Sequence, residues 1–117
     1  MDQSWALKHE NELTEHPAPK YTSYPTIVQE PSVCGSKPLL HTGNFGYDND
    51  PWCVRGNNSG VQAINFVANH GAKEIILLGF DFGKVDGRAH FHDEYIQDSD
   101  HVYQMYKDSF DSMIPFI

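Results

Sequence analysis

The segment GNNSGVQAINFVANHGAKEIILLGFDFG, residues 56–83, decides the fold of this chain. It contains a glycine-rich turn, a helical stretch over residues 60–69 and the continuous apolar run 75–78 (IILL). A continuous apolar run is typical of a parallel strand that is covered on both faces. The succession predicts a βαβ-like unit, and hence an α/β fold with a small, doubly wound, mostly parallel sheet that is partly Rossmann-like.

The ends of the predicted helix carry separate signals. Ser59 and Gln62 match the capping box S-x-x-Q, which predicts Ser59 as the N-cap. Gly71 follows the helix where a left-handed residue is usually needed. Because only Gln62, Asn65 and Asn69 interrupt the apolar residues with a narrow polar stripe, we expect a helix that is buried on most sides.

The rest of the chain predicts shorter elements. Residues 3–15 favour a helix, and residues 24–29 and 37–42 are the best strand candidates in a proline-rich region. Residues 100–113 have apolar side chains at spacings near one helical turn, and Pro115 ends that helix. We therefore predict one α/β domain over residues 1–117.

Composition restricts the function classes. The formal net charge of -8 opposes direct nucleic-acid binding, although a small anion can still be held locally. The sequence has neither an apolar run of about 20 residues nor a signal peptide, so we expect a cytoplasmic protein that does not bind membranes. Cys34 and Cys53 have no CxxC spacing and are expected to be reduced thiols.

The turn Gly56-Asn57-Asn58-Ser59-Gly60 is the first candidate site. Unpaired N–H groups and the macrodipole at a helix N-terminus attract anions such as phosphate. A capping box alone would also explain Ser59, but it would not require glycine at both ends of the turn. We therefore keep two interpretations, a helix cap and a phosphate-binding turn. The turn is neither a Walker loop nor a GxGxxG motif.

Asp81 would follow the predicted strand at its carboxyl end, where ligands gather in parallel sheets. It could bind a ribose hydroxyl, a divalent cation or an acceptor hydroxyl, or it could simply cap its own turn.

His90 and His92 flank Phe91 and precede a carboxylate. This suggests a general base more than a metal pair, because no third ligand has a recognised spacing, while either histidine alone could also belong to a solvent-facing loop. We therefore assign no metal ligands, and the cofactor is left open. Lys20 and Tyr21 could supply a cation and a stacking ring to a nucleotide, or could be surface and core residues.

The segment 56–83 and the histidine-containing loop after it resemble a group of bacteriophage proteins of poorly defined function. These are similar to bacterial lipooligosaccharide sialyltransferases and to the archaeal hydroxymethylpterin pyrophosphokinase-like family. The resemblance implies that Asn58, Ser59 and Gly60 contact the nucleotide of an activated sugar donor. It also implies that His90 or His92 is the catalytic base, in the cytoplasm of a phage-infected bacterium.

The chain departs from that pattern because the strand expected before its first helix and the strand expected after residue 117 are absent from the sequence. Three hypotheses follow. The chain could transfer a group from a nucleotide-activated donor to a hydroxyl, it could sequester a nucleotide-derived defence signal unchanged, or it could serve in assembly. A shortened domain leaves sheet edges and apolar surface unpaired, so we expect a homo-oligomer.

Overall fold

A computed structural model describes residues 3–26, 33–88 and 100–117. Its centre is a three-stranded parallel sheet in the order β1-β2-β3. The strands are β1 (Tyr21–Tyr24), β2 (Lys37–Gly43) and β3 (Cys53–Arg55). Tyr21 pairs with Lys37 in the first ladder, and Leu40 pairs with Cys53 in the second. The predicted α/β class and parallel sheet are confirmed, whereas the doubly wound, Rossmann-like arrangement stays a prediction.

Four α-helices accompany the sheet within the described ranges. They are α1 (Gln3–Lys8), α2 (Glu10–Glu15), α3 (Ser59–Asn69) and α4 (Asp100–Met113). Short 3-10 turns cover Val33–Gly35 and Ile114–Phe116. The two central predictions, a helix over 60–69 and a helix over 100–113, are confirmed within one residue. No helix in these ranges has the length and apolar character that crossing a bilayer requires.

The helix predicted over residues 3–15 is divided at His9. This residue has φ -109° and ψ 24°, outside the helical region, while its ring packs on Trp5 with centroids 4.6 Å apart. Both short helices contact the Val33–Gly35 turn. The division therefore lets two short helices pack against the same turn.

The two strand predictions had different outcomes. The prediction over residues 37–42 is confirmed by β2, but the first strand starts at Tyr21 and shares only Tyr24 with the predicted range 24–29. Thr22 is buried and its hydroxyl lies 2.7 Å from that of Ser36, next to the start of β2. This polar contact favours a strand that starts at Tyr21. Residues 27–29 lie outside the described part of the chain.

The apolar run 75–78 is not a strand, so that prediction is wrong. Ile75 packs against the core formed by Val61, Ile64 and Met113, but Ile76 and Leu78 are 77% and 84% exposed. A central strand needs hydrogen-bonded neighbours, and no described strand flanks this segment. The apolar side chains of residues 76–78 therefore remain on the surface.

Helix α3 was expected to be buried on most sides, but only Val61, Ile64 and Asn65 are buried, and Asn65 belongs to the polar stripe. Asn65 is 0% exposed, whereas Val67 is 37% exposed. The Asn65 Oδ1 atom accepts from the backbone N–H groups of Asp48 (3.1 Å) and Arg55 (3.0 Å), and Nδ2 donates to the Asp48 carbonyl (2.8 Å). One amide therefore fastens α3 to the end of β3 and to the loop after β2.

Helix α4 packs against α3 and against the turn that precedes it. Met113 is fully buried with Val61 and Ile64. The buried hydroxyl of Ser109 donates to the Asn44 carbonyl at 2.6 Å and accepts from the Asn57 N–H at 3.2 Å. Apolar packing and a satisfied hydroxyl together hold α4 beside the turn that precedes α3.

We predict that Asn65→Leu destabilises the fold by about 3 kcal/mol, because the partly buried backbone N–H groups of Asp48 and Arg55 lose their partner at about 1–3 kcal/mol each. Urea unfolding followed by circular dichroism measures the change. Asn44→Leu is the matched control at an exposed asparagine, with an expected effect within about 0.5 kcal/mol. Equal stability of the two variants would contradict the role assigned to Asn65.

Candidate functional site

The glycine-rich turn leads into a helix, as the sequence predicted, and it follows a parallel strand, β3, that was not predicted. It follows β3 at its carboxyl end and leads directly into α3. The Gly56 N–H donates to the Gly43 carbonyl at 2.9 Å, which connects the turn to the end of β2. His41 Nε2 and Gln62 Nε2 each donate to the Gly56 carbonyl at 2.9 Å. The turn is thus held from the sheet and from the helix.

The N-cap of α3 is Asn58, not Ser59. Asn58 has extended φ and ψ, and its Oδ1 atom accepts from the Val61 N–H at 3.1 Å. Gln62 donates to the Gly56 carbonyl instead of returning to the cap. The predicted capping box is therefore wrong by one residue, because an asparagine side chain at position 58 reaches the first turn of the helix.

The early N–H groups of α3 are only partly used. Val61 is bonded by the Asn58 side chain and Gln62 by the Asn58 carbonyl. Across the three described ranges, no hydrogen-bond partner occupies the backbone N–H groups of Ser59 and Gly60. A helix N-terminus with unused donors suits an anion.

Packing within the protein explains why glycine occupies positions 56 and 60. Gly56 has φ +131°, and a Cβ atom there would lie 2.9 Å from Val61 Cγ1. A Cβ atom on Gly60 would lie 2.8 Å from Cζ of the Phe80 ring. Close approach within the protein thus explains these residues, and their presence alone does not indicate a ligand.

An aromatic cleft opens beside the first turn of α3, with a volume of about 230 Å³. Asn58 and Gly60 contribute to it from the turn, Gly79 and two phenylalanines from the segment after α3, and two tyrosines from α4. The aromatic residues are Phe80, Phe82, Tyr103 and Tyr106. The cleft therefore joins aromatic faces to a helix N-terminus.

These four aromatic residues were not predicted as site residues. Phe80 and Phe82 directly flank Asp81, and Tyr103 and Tyr106 are one helical turn apart on α4. The ring centroids of Phe80 and Phe82 are 5.9 Å apart at 77°, and those of Tyr103 and Tyr106 are 6.2 Å apart at 88°. The spacing within each pair could have indicated that its two rings lie close together. Only the fold shows that the two pairs line one cleft.

Asp81 is exposed and lies between the two phenylalanines of the cleft, although it is not one of the lining residues. It reaches this end of α3 without the strand that was expected to carry it, because the Phe80 ring packs on Gly60. His90 and His92 lie outside the described residues.

The predicted nucleotide-binding residues Asn57, Lys20 and Tyr21 are engaged elsewhere. Asn57 donates from its backbone N–H to Ser109 Oγ and from Nδ2 to the Met105 carbonyl, so it binds α4 to the turn. Lys20 Nζ donates to the His16 carbonyl at 2.9 Å. The Tyr21 ring packs on Phe66, with centroids 4.4 Å apart. None of the three lines the aromatic cleft.

The pKa shifts of Asp48 and Cys53, near β3, do not indicate a reactive centre. A hydrogen bond from Thr42 Oγ1 (2.6 Å) lowers the pKa of Asp48, with help from the Asp50 N–H and the Arg55 charge. Burial raises the pKa of Cys53, and the carboxylates of Asp50 and Asp48 raise it further. The thiol form of Cys53 is therefore favoured over the nucleophilic thiolate.

The described ranges contain no group of three His, Cys, Asp or Glu residues that could hold a metal ion. No protein-family model, curated protein or solved structure matches this chain.

We predict that Asn58→Ala destabilises the protein by about 1 kcal/mol, because the Val61 N–H loses its cap. Asn58→Asp should retain stability, since a carboxylate both caps and suits the helix dipole. Thermal unfolding of these variants and of Ser59→Ala measures the difference. If Ser59→Ala proved the more damaging substitution, the cap would belong to Ser59 after all.

Proposed function

We propose that this chain binds a nucleotide or a nucleotide-derived small molecule in the aromatic cleft at the N-terminus of α3. The observation that carries the proposal is that four aromatic rings and Gly60 line one cleft at the N-terminus of α3. The backbone N–H groups of Gly60 and of the neighbouring Ser59 have no partner within the described ranges. Aromatic faces stack on nucleobases, and helix N-termini bind phosphate. A nucleotide combines both chemical features in one small molecule.

The size and charge of the cleft restrict the ligand. Its volume of about 230 Å³ is below the roughly 300 Å³ at which pockets for drug-sized ligands begin, so one base with its phosphate suits it better than a large ligand. Its described lining is aromatic, amide and backbone, without a charged side chain. Phosphate binding would therefore depend on backbone donors and the helix dipole, which favours moderate affinity.

Binding is the part of the proposal that the described cleft supports. In its transferase form, which follows the sialyltransferase-like resemblance, His90 or His92 would deprotonate an acceptor hydroxyl and the helix end would stabilise the leaving phosphate. Sequestration of a phage-related defence signal needs the same cleft without these histidines. Mass spectrometry of the ligand after incubation separates the two forms, because only transfer changes its mass.

We predict that Ser59→Pro weakens nucleotide binding about tenfold or more while preserving the fold. Proline suits the first helical position and removes only its N–H, and the extended backbone of Asn58 is compatible with a following proline. Loss of one hydrogen bond to a charged group is worth about 1.5–3 kcal/mol. Calorimetric titration with nucleoside monophosphates measures the effect, with Ser59→Ala as the control that keeps the N–H.

A second arm of this experiment separates the base from the phosphate. Phe82→Ala should weaken binding of nucleosides and nucleotides alike, whereas Ser59→Pro should weaken binding of nucleotides alone. Phe45→Ala is the control at a 52% exposed phenylalanine that does not line the cleft. Absence of binding by the wild type to every nucleotide tested, or equal binding by Ser59→Pro, would refute the proposal.

We also propose that the chain associates with itself through the exposed apolar segment 76–78. Ile76 and Leu78 expose most of their side chains, and Phe116 and Ile117 at the end of the chain are 64% and 50% exposed. Exposed apolar surface of this kind commonly marks an interaction site. Assembly is therefore the second candidate function, and it is compatible with ligand binding.

We predict that Ile76→Glu shifts the chain towards the monomer, because a charge would enter the proposed contact. Sedimentation velocity at several protein concentrations measures the association. Leu7→Glu is the matched control at a 55% exposed leucine on α1. A wild-type chain that stays monomeric at every concentration, or equal effects of the two variants, would exclude this surface as the contact.

A further inference from the structure

A second cavity lies on the sheet side of the first turn of α3, with a volume of about 190 Å³. Its apolar lining comes from Tyr21 and Leu39 of the sheet and from Ala63 and Phe66 of α3. Its polar lining consists of Ser23, Ser59 and Gln62. Ser59 therefore faces this cavity, whereas its neighbours Asn58 and Gly60 line the aromatic cleft. The two cavities flank one turn of helix.

The polar groups of this second cavity are neutral and are held in place. Ser23 Oγ donates to Gln62 Oε1 at 2.6 Å, and Gln62 Nε2 donates to the Gly56 carbonyl at 2.9 Å. Ser23 Oγ and Gln62 Oε1 keep lone pairs that can accept further hydrogen bonds. Within the described ranges no partner occupies the hydroxyl of Ser59 or of Tyr21, and both can donate. The cavity therefore offers donors and acceptors without a charged side chain.

The apolar groups restrict the shape of a ligand. The Tyr21 and Phe66 rings are in contact, with centroids 4.4 Å apart and planes tilted by 45°, so a flat base cannot insert between them. Leu39 and Ala63 complete the apolar part of the lining. A suitable ligand has one apolar face for these groups and hydroxyls around its edge for Ser23, Ser59 and Gln62. That description fits a sugar ring.

We propose that the cavity between β1, β2 and α3 binds a neutral hydroxylated ring of the monosaccharide class. Its volume accommodates one ring and not a chain of several, since pockets for larger ligands begin at roughly 300 Å³. The two cavities share no lining residue, and the two proposals meet only at Ser59, which offers its backbone N–H to the nucleotide and its hydroxyl to this cavity.

The test is a titration of the isotope-labelled full chain with glucose, galactose, mannose and ribose, followed by amide and side-chain amide NMR signals. We expect at least one sugar to shift the signals of Ser23 and the Gln62 side chain at millimolar concentrations. Ala63→Trp, which fills the cavity from an exposed position of α3, should abolish these shifts while the rest of the spectrum stays native-like. Ala72→Trp, beyond the far end of α3, is the matched control and should retain them.

Two results would overturn the proposal. One is the absence of any shift at Ser23 and Gln62 with every sugar, and the other is an undiminished response in Ala63→Trp. If nucleosides but not sugars shift these signals, the cavity binds a base and the assignment to a sugar is wrong. Nucleotide binding by Ala63→Trp, measured by calorimetry, should equal that of the wild type. A failure of the nucleotide proposal would leave the sugar titration fully interpretable.

Discussion

The buried amide of Asn65 is the interaction on which the rest of the arrangement depends. It bonds to backbone groups of Asp48 and Arg55 and so fixes α3 against the end of β3. A buried amide is stable only when its donors and acceptors are satisfied, and this requirement allows one relative position of helix and strand. The turn between them, with its Asn58 cap, is consequently placed at the carboxyl end of a parallel strand. Apolar contacts of Val61 and Ile64 add stability but little directional information.

The contact of α3 with the end of β3 also determines where the two cavities lie. Because α3 is fixed by its buried side, its first turn stands between the sheet and the segment 79–82, with α4 beside it. The Phe80 ring packs on Gly60, where a side chain would exclude it, and Asn57 and Ser109 attach α4 to the turn. The aromatic cleft is thus a product of packing. The Asn58 side chain caps the Val61 N–H, and the N–H groups of Ser59 and Gly60 have no partner among the described residues. This origin explains why glycine at both ends of the turn is compatible with either interpretation.

Part of the candidate site could be predicted from local sequence. The turn and the helix start near Ser59 follow from neighbouring residues. Asp81 was expected at that end of the helix because of a strand that does not form, and it is the packing of Phe80 on Gly60 that brings its segment there. The aromatic lining could not be predicted, because Tyr103 and Tyr106 come from a helix more than 40 residues away in sequence. Lys20 and Tyr21 were grouped with the nucleotide by residue type alone, and the structure directs Lys20 to the His16 carbonyl and Tyr21 to Phe66. Residue type indicates what a side chain can bind but not which neighbour reaches it first.

The sequence by itself determined the elements whose signals are local: helix α3 with its left-handed end at Gly71, helix α4 before Pro115, strand β2 and the α/β class. Tertiary structure decided what depends on distant partners. It buried Asn65 within the polar stripe and left residues 76–78 on the surface instead of in a central strand. Periodicity reports how a segment can fold, whereas hydrogen-bonded neighbours decide whether a strand forms and which face of a helix is buried.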